Sequence, residues 1–291
     1  MSGVPLVIGL GTSFRFVSRL YRNRVGFSGL LLSLLVIMSA LFAPLLSSYG
    51  VREQNIRERF SAPSLEHPMG TDNFGRDVFS RVLHGYRISV GIAALAVSLA
   101  LVIGGVIGLV GAYSGGWVDR LLMRLMDVLL AFPVILLAIG ILALLGPGSW
   151  NTALAIGMVY IPVFARLARG PALSVLSWDY VMAARALGAR GRRIMFRHVA
   201  PNIFAPIMVQ VSLSLSTAIL VEAALSFLGL GTQPPTPSLG LMLSESRDYM
   251  LISPWTSVFS GFAILLAALG FNLLGDGLRD LLDPTLKDVI S

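Results

Sequence analysis

Long apolar runs without charge recur along almost the whole of this 291-residue chain. Crossing the hydrocarbon core of a bilayer takes about 20 mostly apolar residues, because an α-helix rises only about 1.5 Å per residue. Charged residues make up 13% of the chain, against about 25% in soluble domains. The sequence therefore predicts an all-α fold, a polytopic membrane helical bundle.

Polar breaks divide the apolar sequence into six predicted transmembrane helices, near 25–46, 88–113, 126–146, 150–167, 203–230 and 255–275. The break at 114–125 is expected to be a loop. Pro133 and Pro162 lie inside the third and fourth helices, where each proline removes one backbone hydrogen bond and permits a kink. Most such prolines only shape a helix, and a contribution to a gate is the alternative.

The segments between the predicted helices differ in charge. Residues 168–202 carry six arginines and one carboxylate, and residues 1–24 end in four arginines without an acid. Cytoplasmic loops of membrane proteins are enriched in Lys and Arg, so we expect both segments, and the tail 276–291, to be cytoplasmic. The segment 47–87 is then extracytoplasmic, and its apolar spacing from 77 to 87 predicts an amphipathic helix on the membrane surface.

Several kinds of chemistry are excluded by the residues present. The chain has no cysteine, so it has no disulfide, thiol nucleophile or thiolate metal site. Its single lysine, Lys287, follows no Gly-rich loop, and a phosphate-binding loop needs both. His67, His84 and His198 are too far apart to suggest a shared metal site. We expect no ATP hydrolysis, cofactor or metal in this chain, and no nucleic-acid partner, because the arginines form no continuous basic surface.

The segment 168–202 is the most distinctive part of the sequence. It predicts two short helices that are broken by Gly188 and Gly191 and stopped by Pro201. Such a segment can protrude from the bilayer. An Ala- and Arg-rich helix can also lie on anionic lipids, and spacing alone does not decide between the two.

The same segment resembles the coupling motif of bacterial ABC-importer permeases, Glu-Ala-Ala, three residues, Gly, nine residues, Ile, any residue, Leu-Pro. The corresponding residues are Met182, Ala183, Ala184, Gly188, His198, Ala200 and Pro201. Met182, His198 and Ala200 depart from the motif's Glu, Ile and Leu. In that family the insert docks into a groove of an ATPase subunit.

Three other stretches are similar to the C-type permease subunits of dipeptide and oligopeptide importers. They comprise residues 67–72 with 75–78, 80–81, 85 and 87–89; residues 225–231; and residues 272–280 with 282–284. The resemblance extends over residues 20–287. It implies an ABC importer type I permease fold, in which 88–275 is the permease core, and a location in the bacterial plasma membrane.

The resemblance also implies a function and a set of partners. The chain is expected to be the permease subunit of an ATP-driven dipeptide or oligopeptide importer that works by alternating access. Its partners would be a homologous permease subunit, two ATPase subunits or one fused ATPase, and an extracytoplasmic peptide-binding protein. ATP and Mg would be bound by the ATPase subunits. Contact with the ATPase is assigned to Tyr180, Met182, Ala183, Ala184, Ala186, Leu187, Gly188, Ala189, Arg190 and Pro201.

Two further sites are candidates outside the insert. Glu222 is the one carboxylate well inside a predicted helix, where a charge is costly, so it marks either the translocation path or a structural pairing with a neighbouring helix. The outer motif suggests contact with the partner permease or the binding protein, or mere solvation of a surface helix. Its candidate residues are Asp72, Gly75, Arg76, Asp77 and Arg81.

Other cargo and other classes of protein stay open. Related permeases carry nickel, glutathione and other small solutes. A self-sufficient secondary transporter or channel would need more intramembrane titratable groups than Glu222, and a membrane-embedded enzyme would need a nucleophile and base. Small residues of the second helix suit close packing against a partner permease. These include Gly91, Gly104, Gly105, Gly108 and Gly111.

Overall fold

A computed structural model describes residues 23–282 of the chain. The first predicted span is helix α1, Arg24–Leu41, followed by the short helix α2, Ala43–Leu46. Asn23 caps α1, because its side-chain oxygen accepts the N–H groups of Val25 and Gly26. The predictions made for residues 1–22 and 283–291, including the end of the last family stretch, lie outside the described residues.

Helix α3, Val78–Ser114, continues without a break for 37 residues, which corresponds to roughly 55 Å. The helix predicted from 77 to 87 is present as the N-cap and first turns of α3, and it leads directly into the predicted second span. Its position on the membrane surface stays a prediction. No signal ends a helix at the predicted boundary, because residues 86–90 contain neither Gly nor Pro. The change from polar to apolar sequence near residue 88 therefore marks a change in the surroundings of the helix, and the helix itself continues.

The third predicted span, 126–146, contains the end of α4 (Gly116–Leu130) and the whole of α5 (Val134–Leu145), and these two helices meet at 93°. The kink predicted at Pro133 is confirmed, because the chain bends in the three residues that end there. The loop predicted at 114–125 is wrong. Apolar residues recur every fourth position at Trp117, Leu121 and Leu125, a helical spacing that the interspersed charges concealed.

The remaining helices complete the bundle. They are α6 (Ser149–Leu176), α7 (Asp179–Ala186), α8 (Gly191–Ile194), α9 (Phe204–Phe227), α10 (Leu239–Ser246) and α11 (Trp255–Leu282). A π-helical turn, Met195–Val199, follows α8, and 3₁₀ turns cover Ile56–Glu58 and Arg247–Tyr249. Within residues 23–282, five helices can cross a membrane, or six if α4 and α5 form one bent span. This agrees with the six predicted spans.

The bundle has two polar ends. The predicted insert began at 168, but residues 168–176 are the last turns of α6, so the fourth span is longer than predicted. The insert, defined here as residues 177–203, joins α6 to α9 at what we call the insert end. Residues 47–77 and 228–254 lie at the opposite end, the loop end, where Ser149 at the start of α6 hydrogen-bonds Thr232. Helix α3 runs between the two ends and packs along α6.

Close packing of α3 on α6 depends on two glycines. A Cβ atom at Gly104 would overlap the carbonyl oxygen of Ile161, and one at Gly108 would overlap that of Ala165. The expectation that these glycines face a partner permease is therefore wrong, because they face α6. Gly91 and Gly105 have open space beside them, so for these two glycines contact with a partner permease stays a prediction.

Replacing Gly104 by Val should reduce the free energy of unfolding by roughly 1–3 kcal/mol, because the added atoms overpack the α3–α6 contact. Gly105→Val, one residue along the same helix, is the matched control and should change it by less than about 0.5 kcal/mol. Thermal unfolding of the purified chain in detergent would measure both. Equal losses would contradict the packing argument.

Candidate functional site

The insert is a small two-helix unit with its own apolar core. Val181 of α7, Ile194 of α8 and Val199 of the π-helical turn are buried against α6. The residues of α6 that complete this core are Ala168, Ala172 and Val175. Because the contact is buried and apolar, displacement of the insert would be passed to α6.

Tyr113, at the end of α3, supports the insert from a second side. The guanidinium carbon of Arg185 lies 5.6 Å from the centre of the Tyr113 ring, an arrangement that favours a cation–π interaction. Gly191 lies close against the same ring. The insert is thus attached to both of the helices that pack most extensively in the bundle.

Gly188 ends α7 in a conformation that other residues avoid. Its φ angle is +82°, in the left-handed region, and its N–H donates to the carbonyl of Arg185 at 3.0 Å. The next N–H, of Ala189, donates to Ala184 at the same distance. The prediction of two short helices broken at Gly188 is confirmed.

The face of α7 that carries the family motif is exposed. Tyr180, Met182 and Leu187 are 46%, 50% and 89% exposed, respectively. Ala183, Ala186, Gly188, Arg190 and Pro201 are also exposed, and Ala184 and Ala189 are half-buried. An apolar face with small side chains, outside the membrane-spanning helices, suits a protein partner that approaches closely.

Two ion pairs fasten α4 to α6 beside the insert. Arg169 Nε and Nη2 donate to the two carboxylate oxygens of Asp119 at 2.6 and 2.5 Å, a bidentate pair in which the Asp119 side chain is only 13% exposed. Arg166 Nη2 donates to Asp127 at 2.5 Å, and both partners are exposed. Sequence reasoning missed the pairs, because each joins residues at least 39 positions apart.

At the loop end, a buried network of charges joins the start of α3 to α10. Asp72 Oδ2 accepts Arg76 Nε and Arg81 Nη1, each at 2.6 Å. Glu245 of α10 accepts Arg76 Nη2 at 3.1 Å and Arg81 Nη2 at 2.8 Å. Asp72, Arg76 and Arg81 are all buried. Their charges are therefore compensated inside the chain.

This burial contradicts the prediction that the outer motif is an exposed contact surface. The five residues concerned, Asp72, Gly75, Arg76, Asp77 and Arg81, are all buried. Solvation of a surface helix, the alternative, is also wrong. The sequence contained the motif, but its fourth charged member, Glu245, lies more than 160 residues further on and had no local signal.

His67 belongs to a neighbouring polar cluster. Its Nδ1 lies 2.9 Å from Asp77 Oδ1, and its Nε2 lies 3.4 Å from Glu58 Oε2. Burial lowers the pKa of the imidazole, but the hydrogen bonds with Asp77 and Glu58 outweigh burial and raise the pKa above its usual value. Stability from this histidine is thus present at acidic pH and is lost as the pH rises through the raised pKa. Across residues 23–282, no three His, Asp or Glu side chains are arranged to hold a metal ion.

Glu222 of α9 is fully buried. Its Oε1 accepts the Ser226 hydroxyl at 2.7 Å, and the hydroxyls of Ser89 and Ser238 face the same carboxyl group. The other oxygen, Oε2, has no partner within hydrogen-bonding geometry. The carboxyl group lies where α3, α9 and the start of α10 meet, and its burial favours the structural alternative. The translocation-path role stays a prediction.

Two family models match the chain. One, described as the binding-protein-dependent transport system inner membrane component, matches residues 100–288. The other, described as the N-terminal TM domain of oligopeptide transport permease C, matches residues 14–63. Together they extend over most of the chain.

Curated relatives match nearly the full length. The dipeptide transport system permease protein DppC of Alkalihalophilus pseudofirmus is 48% identical over 269 residues, which cover 92% of this chain and 88% of the relative. The di/tripeptide transport system permease protein DppC of Pseudomonas aeruginosa is 46% identical, over 91% and 90% of the two chains. The glutathione transport system permease protein GsiD of Pectobacterium atrosepticum is 44% identical, over 94% and 91%.

A solved structure supports the fold. An inward-facing conformation of the MetNI methionine ABC transporter superposes with a TM-score of 0.58 at 15% identity, over 70% of this chain and 97% of that chain. At this identity the likeness concerns the fold alone. It agrees with the predicted ABC importer permease fold.

Replacing Asp72 by Asn should lower the free energy of unfolding by about 3 kcal/mol, because two buried guanidinium groups lose one of the two carboxylates that they share. Asp248→Asn is the matched control. Asp248 pairs with Arg247 at 3.4 Å on the surface, so this change should cost less than about 0.5 kcal/mol. Thermal unfolding in detergent would compare the two, and similar losses would show that burial of the network is unimportant.

Replacing Asp119 by Arg should lower the melting temperature, because two cations would then face each other between α4 and α6. Combining it with Arg169→Asp should recover most of the loss, since the pair can re-form with its charges exchanged. The same exchange at Asp127 and Arg166 should have a smaller effect, because that pair is exposed. A double variant no more stable than Asp119→Arg would contradict the pairing.

Proposed function

Because the chain belongs to the family of binding-protein-dependent transport system inner membrane components, and is thus a multi-pass permease subunit of an ABC importer, we propose that its cargo is dipeptides or oligopeptides. The DppC relatives support this, being 46–48% identical over almost the whole chain. Glutathione is the second candidate, since the GsiD relative is 44% identical.

The proposed coupling element is the insert, and the exposed motif face of α7 is the observation that carries this assignment. Tyr180, Met182 and Leu187 would enter a groove of an ATPase subunit, with Ala183 allowing close approach. Met182 replaces the acid of the family motif, so the contact here would be mainly apolar. The buried core shared with α6 supports transmission of ATPase closure into the membrane-spanning helices.

The other subunits of the transporter would be separate chains. We propose a second, homologous permease, two ATPase subunits or one fused ATPase that binds ATP and Mg, and an extracytoplasmic binding protein that delivers the cargo. The cavity for alternating access would lie between the two permeases. The excess of arginine in the insert supports a cytoplasmic insert end, and with it cytoplasmic chain termini.

Gly188→Asp tests the proposed function in liposomes that contain the chain with its candidate partners. The side chain would alter the turn after α7 at the ATPase contact. We expect peptide uptake and peptide-stimulated ATP hydrolysis to fall about tenfold or more, which corresponds to ~1.4 kcal/mol of coupling free energy. Competition by dipeptides and by glutathione would distinguish the two candidate cargos.

Gly229→Asp is the matched control. Gly229 also has a positive φ, +79°, with open space beside it, but it follows α9 at the loop end. It therefore carries a similar backbone strain without touching the insert, and transport should be retained. Undiminished ATP-dependent uptake in Gly188→Asp would refute the role of the insert.

A further inference from the structure

The insert has a second exposed surface, which shares only Arg190 with the residues assigned to the ATPase contact. Arg190, Arg192, Arg193 and Phe196 line a shallow, open depression on α8 and the π-helical turn, and Arg197 is exposed on the same segment. Phe196 is 65% exposed, and the guanidinium carbon of Arg192 lies 6.0 Å from its ring centre. We call the four arginines and Phe196 the basic surface.

These arginines differ from Arg166 and Arg169 in having no counter-charge. Arg166 and Arg169 are each paired with an aspartate of α4. Within residues 23–282, no carboxylate lies within ion-pairing distance of any arginine of the basic surface. Four unpaired cations on one short segment favour an anionic ligand from outside the chain.

The segment is amphipathic, and its apolar side is already occupied. Ile194, Met195 and Val199 are buried in the core shared with α6. The opposite side therefore presents the arginines together with Phe196. This combination of guanidinium groups and an exposed aromatic ring is typical of protein segments at the boundary of a bilayer, where arginine reaches phosphate and the ring lies at the level of the acyl chains.

The basic surface also lies next to a membrane-spanning helix. Helix α9 begins at Phe204, only seven residues after Arg197, and Phe204 is itself exposed. Clusters of four or more cationic residues directly beside a span, on the cytoplasmic side, are typical of sites that bind anionic lipid headgroups.

We propose that the basic surface binds the phosphate groups of anionic phospholipids in the leaflet on the insert side, while α7 remains free for the ATPase. The guanidinium groups would donate hydrogen bonds to phosphodiester oxygens, which are acceptors of matching geometry. The sequence left two alternatives open for the insert, protrusion from the bilayer and contact with lipid. In this proposal α7 protrudes toward the ATPase, and the segment after it contacts the lipid. Only the assignment of the leaflet rests on the proposed function.

Native mass spectrometry of the detergent-purified chain tests this directly, by counting retained phosphatidylglycerol and phosphatidylcholine molecules at equal lipid concentration. Each arginine beside an anionic surface contributes about fivefold in affinity. We expect phosphatidylglycerol to bind in preference to phosphatidylcholine, and a variant with Arg190, Arg192, Arg193 and Arg197 changed to Gln to lose about tenfold or more of that affinity. The corresponding Lys variant, which retains the charges, should keep most of it.

The matched control changes four exposed arginines of the loop end, Arg52, Arg57, Arg59 and Arg247, to Gln. It removes the same charge and should leave phosphatidylglycerol binding within about twofold of the original, because the local surface and not the net charge determines binding. Equal losses in both variants, or no preference for phosphatidylglycerol, would overturn the proposal. Unchanged lipid binding with impaired ATPase assembly would assign the arginines to the ATPase instead.

The lipid count is independent of the importer assignment. It is made on the chain alone, so a negative result would leave the proposed coupling role of α7 untouched. Conversely, Gly188→Asp replaces none of the residues of the basic surface, and its failure to affect transport would leave the lipid site standing.

Discussion

Close packing of α3 on α6 is the contact on which the other features depend. Gly104 and Gly108 bring the two backbones together. The end of α3 then meets the insert through Tyr113, while the end of α6 supplies one wall of the insert's core. At the other end of the bundle, Arg81 lies in the first turn of α3, and Arg76 lies in the segment just before it. Both arginines bond to Glu245 of α10. One helix pair thus sets the positions of both polar regions.

The sequence predicted the features that follow from local pattern. Apolar runs gave the spans, Pro133 gave the bend, and Gly188 gave the break in the insert. It failed where a residue's role depends on a distant partner. Arg169 was interpreted as a loop charge because Asp119 lies 50 residues away, and the outer motif was interpreted as a contact surface because Glu245 lies on another helix. The sequence placed Glu222 inside a span, but it gave no signal for the serines of three segments that surround the carboxyl group.

The insert combines two kinds of surface on one small unit. Helix α7 presents apolar and small side chains, whereas the segment after it presents arginines beside the first turn of α9. Both halves share a single core, in which Val181 and Ile194 are fully buried. The surfaces are therefore held in a fixed relation to each other, and a contact made by one half constrains the orientation of the other.

The charge network at the loop end has a consequence for how the chain is assembled in the membrane. Arg76 and Arg81 are synthesised with the first half of the chain, but Glu245 emerges only after α9 has been completed. Until then Asp72 is the only carboxylate bonded to the two arginines in the finished network. The loop end can thus close only late in biogenesis, because a nascent chain that stops before α10 lacks the second carboxylate that compensates Arg76 and Arg81.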